Sequence, residues 1–147
     1  MAMLGIKQPW RKYTQPWGGN GLVFDHLLPG KKAIFLPQIA KHTTLIPIRH
    51  PRCVAKSWLD RKKPEDVLAE MWRILAFEVA PLNPLFIPLD SPRKAAFLAA
   101  ARRATGMKLP AKGKPKGQVH GNAALDWRGL PEYELEDEMG EFLARFY

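Results

Sequence analysis

Fourteen prolines stand in a chain of 147 residues, against a usual frequency of about 5%. Each one fixes its own φ and deletes a backbone donor, so long uninterrupted helices are excluded and the chain must be built from short elements. The apolar fraction of 46% and charged fraction of 25% are those of ordinary globular chains, which argues against disorder throughout and against a collagen-like repeat. At 16.7 kDa the chain holds material for one core rather than two. The most apolar stretch, residues 79–89, contains Asn83 and three prolines and falls far short of the roughly 20 residues that span a bilayer. No membrane contact is expected. The start, MAMLGIKQPWRKY, lacks the apolar run of a secretory signal, and Cys53 is a lone cysteine, which together predict a cytoplasmic protein.

The charge is unevenly placed. The formal net charge is +9, but residues 132–147 carry six of the 14 acids and one base, Arg145, so the rest of the chain has 22 bases against eight acids. Such a field attracts phosphate-bearing partners, from a nucleotide to nucleic acid, without choosing among them. Charge is the sole argument for nucleic acid here, because no recognised reading module is present.

Residues 1–30 mix Pro9, Pro16, Pro29 and several glycines with Trp10, Tyr13 and Trp17, without helical or strand periodicity, and read as an extended arm. Residues 31–147 read as the folded domain. Three short apolar runs bounded by turn residues, 32–36 (KAIFL), 43–48 (TTLIPI) and 84–89 (PLFIPL), are expected to be buried strands, with Pro47 and Pro88 favouring edge or strand-end positions. Helices are expected after Pro51, over 64–80, from a Ser91 cap to Gly106, and along the closing stripe Leu135, Met139, Phe142, Leu143 and Phe146. Trp58, Trp72, Phe97 and Phe142 fit helical apolar stripes and are expected in the core. This order predicts an α/β fold, a short parallel sheet flanked by helices. Ligands of such sheets sit outside the carboxyl ends of the strands, which directs attention to the loop after Ile48. Residues 110–121, PAKGKPKGQVHG, are expected to be a flexible linker or a phosphate-binding loop.

In 44–58, TLIPIRHPRCVAKSW, a strand ends in Arg49, turns at Pro51 and enters a helix carrying Ser57. A guanidinium fork and a hydroxyl can converge there on one anion, helped by amides at the helix start and by the field of Arg52 and Lys56. This segment resembles the nucleotide motif of sulfotransferases that use 3′-phosphoadenylyl sulfate: a strand, then Arg49, His50, Pro51, Arg52, and Ser57 eight positions after the arginine. Cys53 stands where that family often has aspartate. PLFIPLDS resembles the family's late strand ending near an acid, and Lys116, Gly117, Gly121, Asp126 and Trp127 are similar to its basic glycine loop, though with longer spacing between Gly117 and Trp127. The likeness covers roughly residues 31–147.

The resemblance implies a truncated P-loop-NTPase-like sulfotransferase fold, shortened at its amino terminus. It also implies a site for 3′-phosphoadenylyl sulfate or adenosine 3′,5′-bisphosphate held by Arg49, Ser57, Arg52, Lys116, Gly117 and Trp127, and transfer of a sulfuryl group to a hydroxyl or amine. The family's phosphate loop of lysine, serine, glycine and threonine is not found, and GGNG at 18–21 lacks the lysine and hydroxyl partners. His26, His42, His50 and His120 are bases by residue type alone, so no catalytic residue is assigned. Cys53 beside His50 is a nucleophile by adjacency alone. One cysteine and four scattered histidines predict no metal. The alternative is a non-catalytic protein that keeps the fold and uses its basic body and aromatic arm against a protein partner, a second copy or nucleic acid.

Overall fold

Strands β1 (Leu45–Ile48) and β2 (Leu85–Pro88) pair in parallel, from Leu45 opposite Leu85 to Ile48 opposite Pro88. The computed structural model describes residues 28–106 and 125–147. Among the described residues five α-helices flank the pair: α1 (Lys32–Lys41), α2 (Pro51–Asp60), α3 (Glu65–Arg73), α4 (Lys94–Thr105) and α5 (Gly140–Ala144). The described part is therefore α/β, two parallel strands flanked by helices. No helix among the described residues is long and apolar enough to cross a membrane. Residues 1–27 of the arm expected over 1–30, with GGNG and His26, and the basic segment 110–121, with Lys116, Gly117, His120 and Gly121, lie outside the described residues.

The strand prolines occupy the positions where they do least harm. Leu85 N donates to Thr44 O and Leu89 N to Ile48 O, both at 2.8 Å. Backbone polar groups alternate along a strand, so 44, 46 and 48 face 85, 87 and 89 across the ladder, while Pro47 and Pro88 face outward. Neither deletes a bond of this ladder. The alternation also sends Phe86 to one face and Ile87 to the other. Phe86, Ile46 and Ile48 join a core with Phe35 and Ile39 of α1, Leu68 and Trp72 of α3, and the closing segment. Ile87 packs on Leu98 and Ala101 of α4. Both faces of the sheet are covered, as parallel strands require.

The expected strand at 32–36 is corrected: it is the first half of α1. The run has one β-branched residue, Ile34, and Pro29 opens a 3₁₀ turn (Pro29–Lys31) that feeds the helix. Phe35 and Ile39, four apart, both turn into the core. A five-residue window cannot show that period, and Pro37 inside the helix disguises it.

The other helices follow their start and stop residues. The helix expected over 64–80 begins as α3, widens to π winding over Ile74–Val79 and closes as a 3₁₀ turn at Ala80–Leu82, where Pro81 cannot donate. Ser91 Oγ accepts from Arg93 N at 2.9 Å ahead of α4, and Gly106, at φ +67°, ends it. The closing stripe is buried at all five expected positions, although regular α-helix is confined to Gly140–Ala144 and turns precede it.

Candidate functional site

At the carboxyl end of β1 the chain turns through Arg49 and His50 into α2; at the carboxyl end of β2 it turns through Leu89 and Asp90. Parallel pairing places these two turns side by side. Asp90 joins them: the His50 N–H donates to Oδ1 and Oδ2 at 3.0 and 2.9 Å, and the Tyr147 hydroxyl donates to Oδ1 at 2.7 Å. Arg49 Nε stands 3.9 Å from Asp90 Oδ2. The carboxylate thus spends its short hydrogen bonds on His50 and Tyr147 and holds the Arg49 guanidinium by a longer ionic contact.

His50 is buried, and its Nδ1 accepts from Arg52 N at 3.3 Å, capping α2 with Pro51 in the first helical position. The ring lies flat on Trp127, centroids 4.1 Å apart and planes 3° apart, with the Tyr147 edge against it at 4.7 Å. Burial lowers the His50 pKa, outweighing the pull of Glu136 and Asp90, so the imidazole is neutral and serves as an acceptor at pH 7. The expectation that free amides at the start of α2 help hold an anion is corrected: Arg52 N is capped by the His50 ring, and Cys53 N and Val54 N both donate to His50 O.

Arg52 bridges elements. Its Nε and Nη2 donate to the two oxygens of Glu136 at 2.7 and 2.8 Å, and Nη1 donates to Leu130 O at 3.3 Å. Glu132 adds a 3.6 Å contact. Burial works to raise the Glu136 carboxyl, but hydrogen bonds from Arg52 and from Tyr133 N outweigh it and hold the group below the usual range. A protein carboxylate therefore already takes the Arg52 fork. Ser57, one face along α2, accepts from Arg61 Nη2 at 3.1 Å, while Arg61 Nε donates to the Ser57 carbonyl at 3.0 Å. That geometry leaves the Ser57 hydroxyl proton to donate elsewhere.

Cys53 is fully buried and donates to Leu125 O at 3.5 Å. Burial pushes its thiol pKa up, with Asp90 adding to the shift, and a thiol so placed is a poor nucleophile. Of the other residues singled out by sequence, Trp127 joins the site, stacked on His50 with the Arg52 and Arg128 guanidiniums 5.8 and 4.8 Å from its ring. Asp126 caps the turn that presents it by accepting from Arg128 N. Two contributors went unassigned from sequence. Asp90 was legible only as an acid after a strand, and nothing local marks Tyr147 as its donor.

Comparison with known proteins returns no match: no family model, no curated protein and no solved structure is similar to this chain.

Proposed function

We propose that this protein has a truncated P-loop-NTPase-like, sulfotransferase-like fold. In this reading it binds a 3′-phosphoadenosine nucleotide, either 3′-phosphoadenylyl sulfate or adenosine 3′,5′-bisphosphate. Arg49 and the Ser57 hydroxyl are the anchors of the 3′-phosphate; Lys116 and Gly117, which the resemblance adds to them, lie outside the described residues. The observation that carries this reading is the stack of Trp127 on His50. It brings together in space the two segments that carry the resemblance, the Arg49–Ser57 turn and the Asp126–Trp127 pair, which lie about 70 residues apart.

In this reading Asp90, 3.9 Å from Arg49 Nε, helps orient the guanidinium, and an incoming phosphate competes with that carboxylate among the groups Arg49 meets. Arg52 plays a supporting role by fixing the turn to Glu136. Sulfuryl transfer would form a bond from sulfur to a hydroxyl or amine acceptor as the bond from sulfur to the nucleotide's 5′-phosphate oxygen breaks, with adenosine 3′,5′-bisphosphate leaving. It needs an acceptor held in line, cations on the leaving phosphate and a base for the acceptor's proton, a role assigned to no residue.

The test is calorimetric titration with adenosine 3′,5′-bisphosphate. Uptake by the native chain is expected, with Arg49→Ala weakening it by roughly ten- to a hundred-fold, the worth of one charge-assisted anchor. No uptake at millimolar nucleotide, or uptake indifferent to Arg49→Ala, overturns the assignment. Binding to polynucleotide with a steep salt slope in its place supports the interaction-protein alternative.

A further inference from the structure

Two arginines of the turn region meet carboxylates, and the two contacts differ in kind. Arg52 and Glu136 form a closed fork at 2.7 and 2.8 Å. Arg49 Nε stays 3.9 Å from Asp90 Oδ2, although both side chains are largely buried and such pairs close to hydrogen-bond distance when the carboxylate is at liberty to do so. Asp90 is engaged by other donors. Its Oδ1 accepts from the Tyr147 hydroxyl and from His50 N, at 2.7 and 3.0 Å, and its Oδ2 accepts from His50 N at 2.9 Å. Two donors fill the lone pairs of Oδ1.

The fold aims the Tyr147 hydroxyl at this carboxylate. Residues 145–147 are clamped against 90–93, the turn that carries Asp90: Arg93 Nη1 donates to the Arg145 carbonyl at 2.9 Å, and Ser91 Oγ donates to the Phe146 carbonyl while accepting from Arg93 N. The Tyr147 ring packs on His50, Trp127 and Phe146, with centroids 4.7, 5.7 and 6.4 Å away. Burial, and then the bond to Asp90, push the phenol pKa far up, so the hydroxyl keeps its proton and donates at neutral pH.

We infer that Tyr147 is a positioning residue for the anion site: its hydroxyl engages Asp90 and keeps that carboxylate, among the groups Arg49 meets, from closing on the guanidinium. This rests on the nucleotide reading above and adds to it the residue that sets how strongly Arg49 holds a phosphate. Tyr147→Phe keeps the ring and its packing but removes the donor. A lone pair of Asp90 is then released, the carboxylate closes on Arg49, and an incoming phosphate faces a stronger competitor.

The test combines calorimetric titration with adenosine 3′,5′-bisphosphate and the Arg49 Nε–H signal of the ligand-free chain in ¹⁵N spectra. Tyr147→Phe should weaken uptake by roughly three- to ten-fold, the worth of one hydrogen bond, and should move the Arg49 proton downfield as Asp90 closes on it. In an Asp90→Asn background no carboxylate competes, so adding Tyr147→Phe should change uptake by less than about twofold and leave the signal in place, while urea unfolding still records the lost hydroxyl. A hydroxyl that only stiffens the turn weakens uptake equally in both backgrounds, and that result overturns the role. Uptake that needs Arg49 but is of native strength in Tyr147→Phe also overturns the role, and leaves the nucleotide reading standing. No uptake by the native chain overturns both.

Discussion

Asp90 is the residue on which the turn region depends, because three hydrogen bonds and the Arg49 contact end on it. Asp90→Ala should cost about 3 kcal/mol, since the His50 N–H and the Tyr147 hydroxyl both lose their acceptor, whereas Tyr147→Phe should cost about 1 kcal/mol. Urea unfolding of both variants checks the ranking. His50 makes stability sensitive to pH. Folding depresses its pKa, so between 6.5 and the lower folded value the unfolded chain binds a proton that the folded chain does not. Stability present at pH 8 should therefore fall as pH drops below about 6.5. His50→Asn, which keeps a capping acceptor without titrating there, should remove that part of the fall in urea midpoints measured from pH 8 to pH 5. Sequence shows Arg49, His50 and Pro51 as a strand-to-helix turn because the signals are local. It cannot show that Glu136, 84 residues later, takes Arg52, since that pairing exists only after the closing segment docks.

Among the elements, α2, α3 and α4 were legible for the same reason that α1 was not. Pro51, Pro64 with Glu65, and Ser91 with Gly106 are start and stop signals that act within one turn, whereas α1 hides its period behind Pro37 and an apolar run. The junction of β2 with α4 makes a sharp test. Ser91→Ala removes both the acceptor for Arg93 N and the donor to the Phe146 carbonyl at a buried site, and should cost about 2 kcal/mol. Gly106→Ala should cost about 1 kcal/mol, all of it from the backbone, because its φ is +67° and nothing lies within 4 Å of an added Cβ. Thermal unfolding of the two variants separates a tie between elements from a local cap.

For the whole molecule, the acidic closing segment lies against the basic body, with Glu136 and Glu132 on Arg52 and Glu138 on Arg73. The sequence displays the split of charge but not its use as a clasp. Apolar burial does most of the holding. Leu135, Met139, Phe142, Leu143 and Phe146 are all buried, at about 1.5–3 kcal/mol each, a sum comparable with the net stability of about 5–15 kcal/mol of a whole domain. A chain ending at residue 131 should show no cooperative thermal transition by circular dichroism, while Glu138→Gln, which loosens one exposed ion pair, should melt within a few degrees of native. The outward-facing prolines matter at this scale too. A further strand laid along either flank would meet a missing donor at Pro47 or Pro88, so zipper-like growth of the sheet is interrupted on both sides. A partner that approaches either flank is therefore better engaged through a loop or a helix than through an added strand.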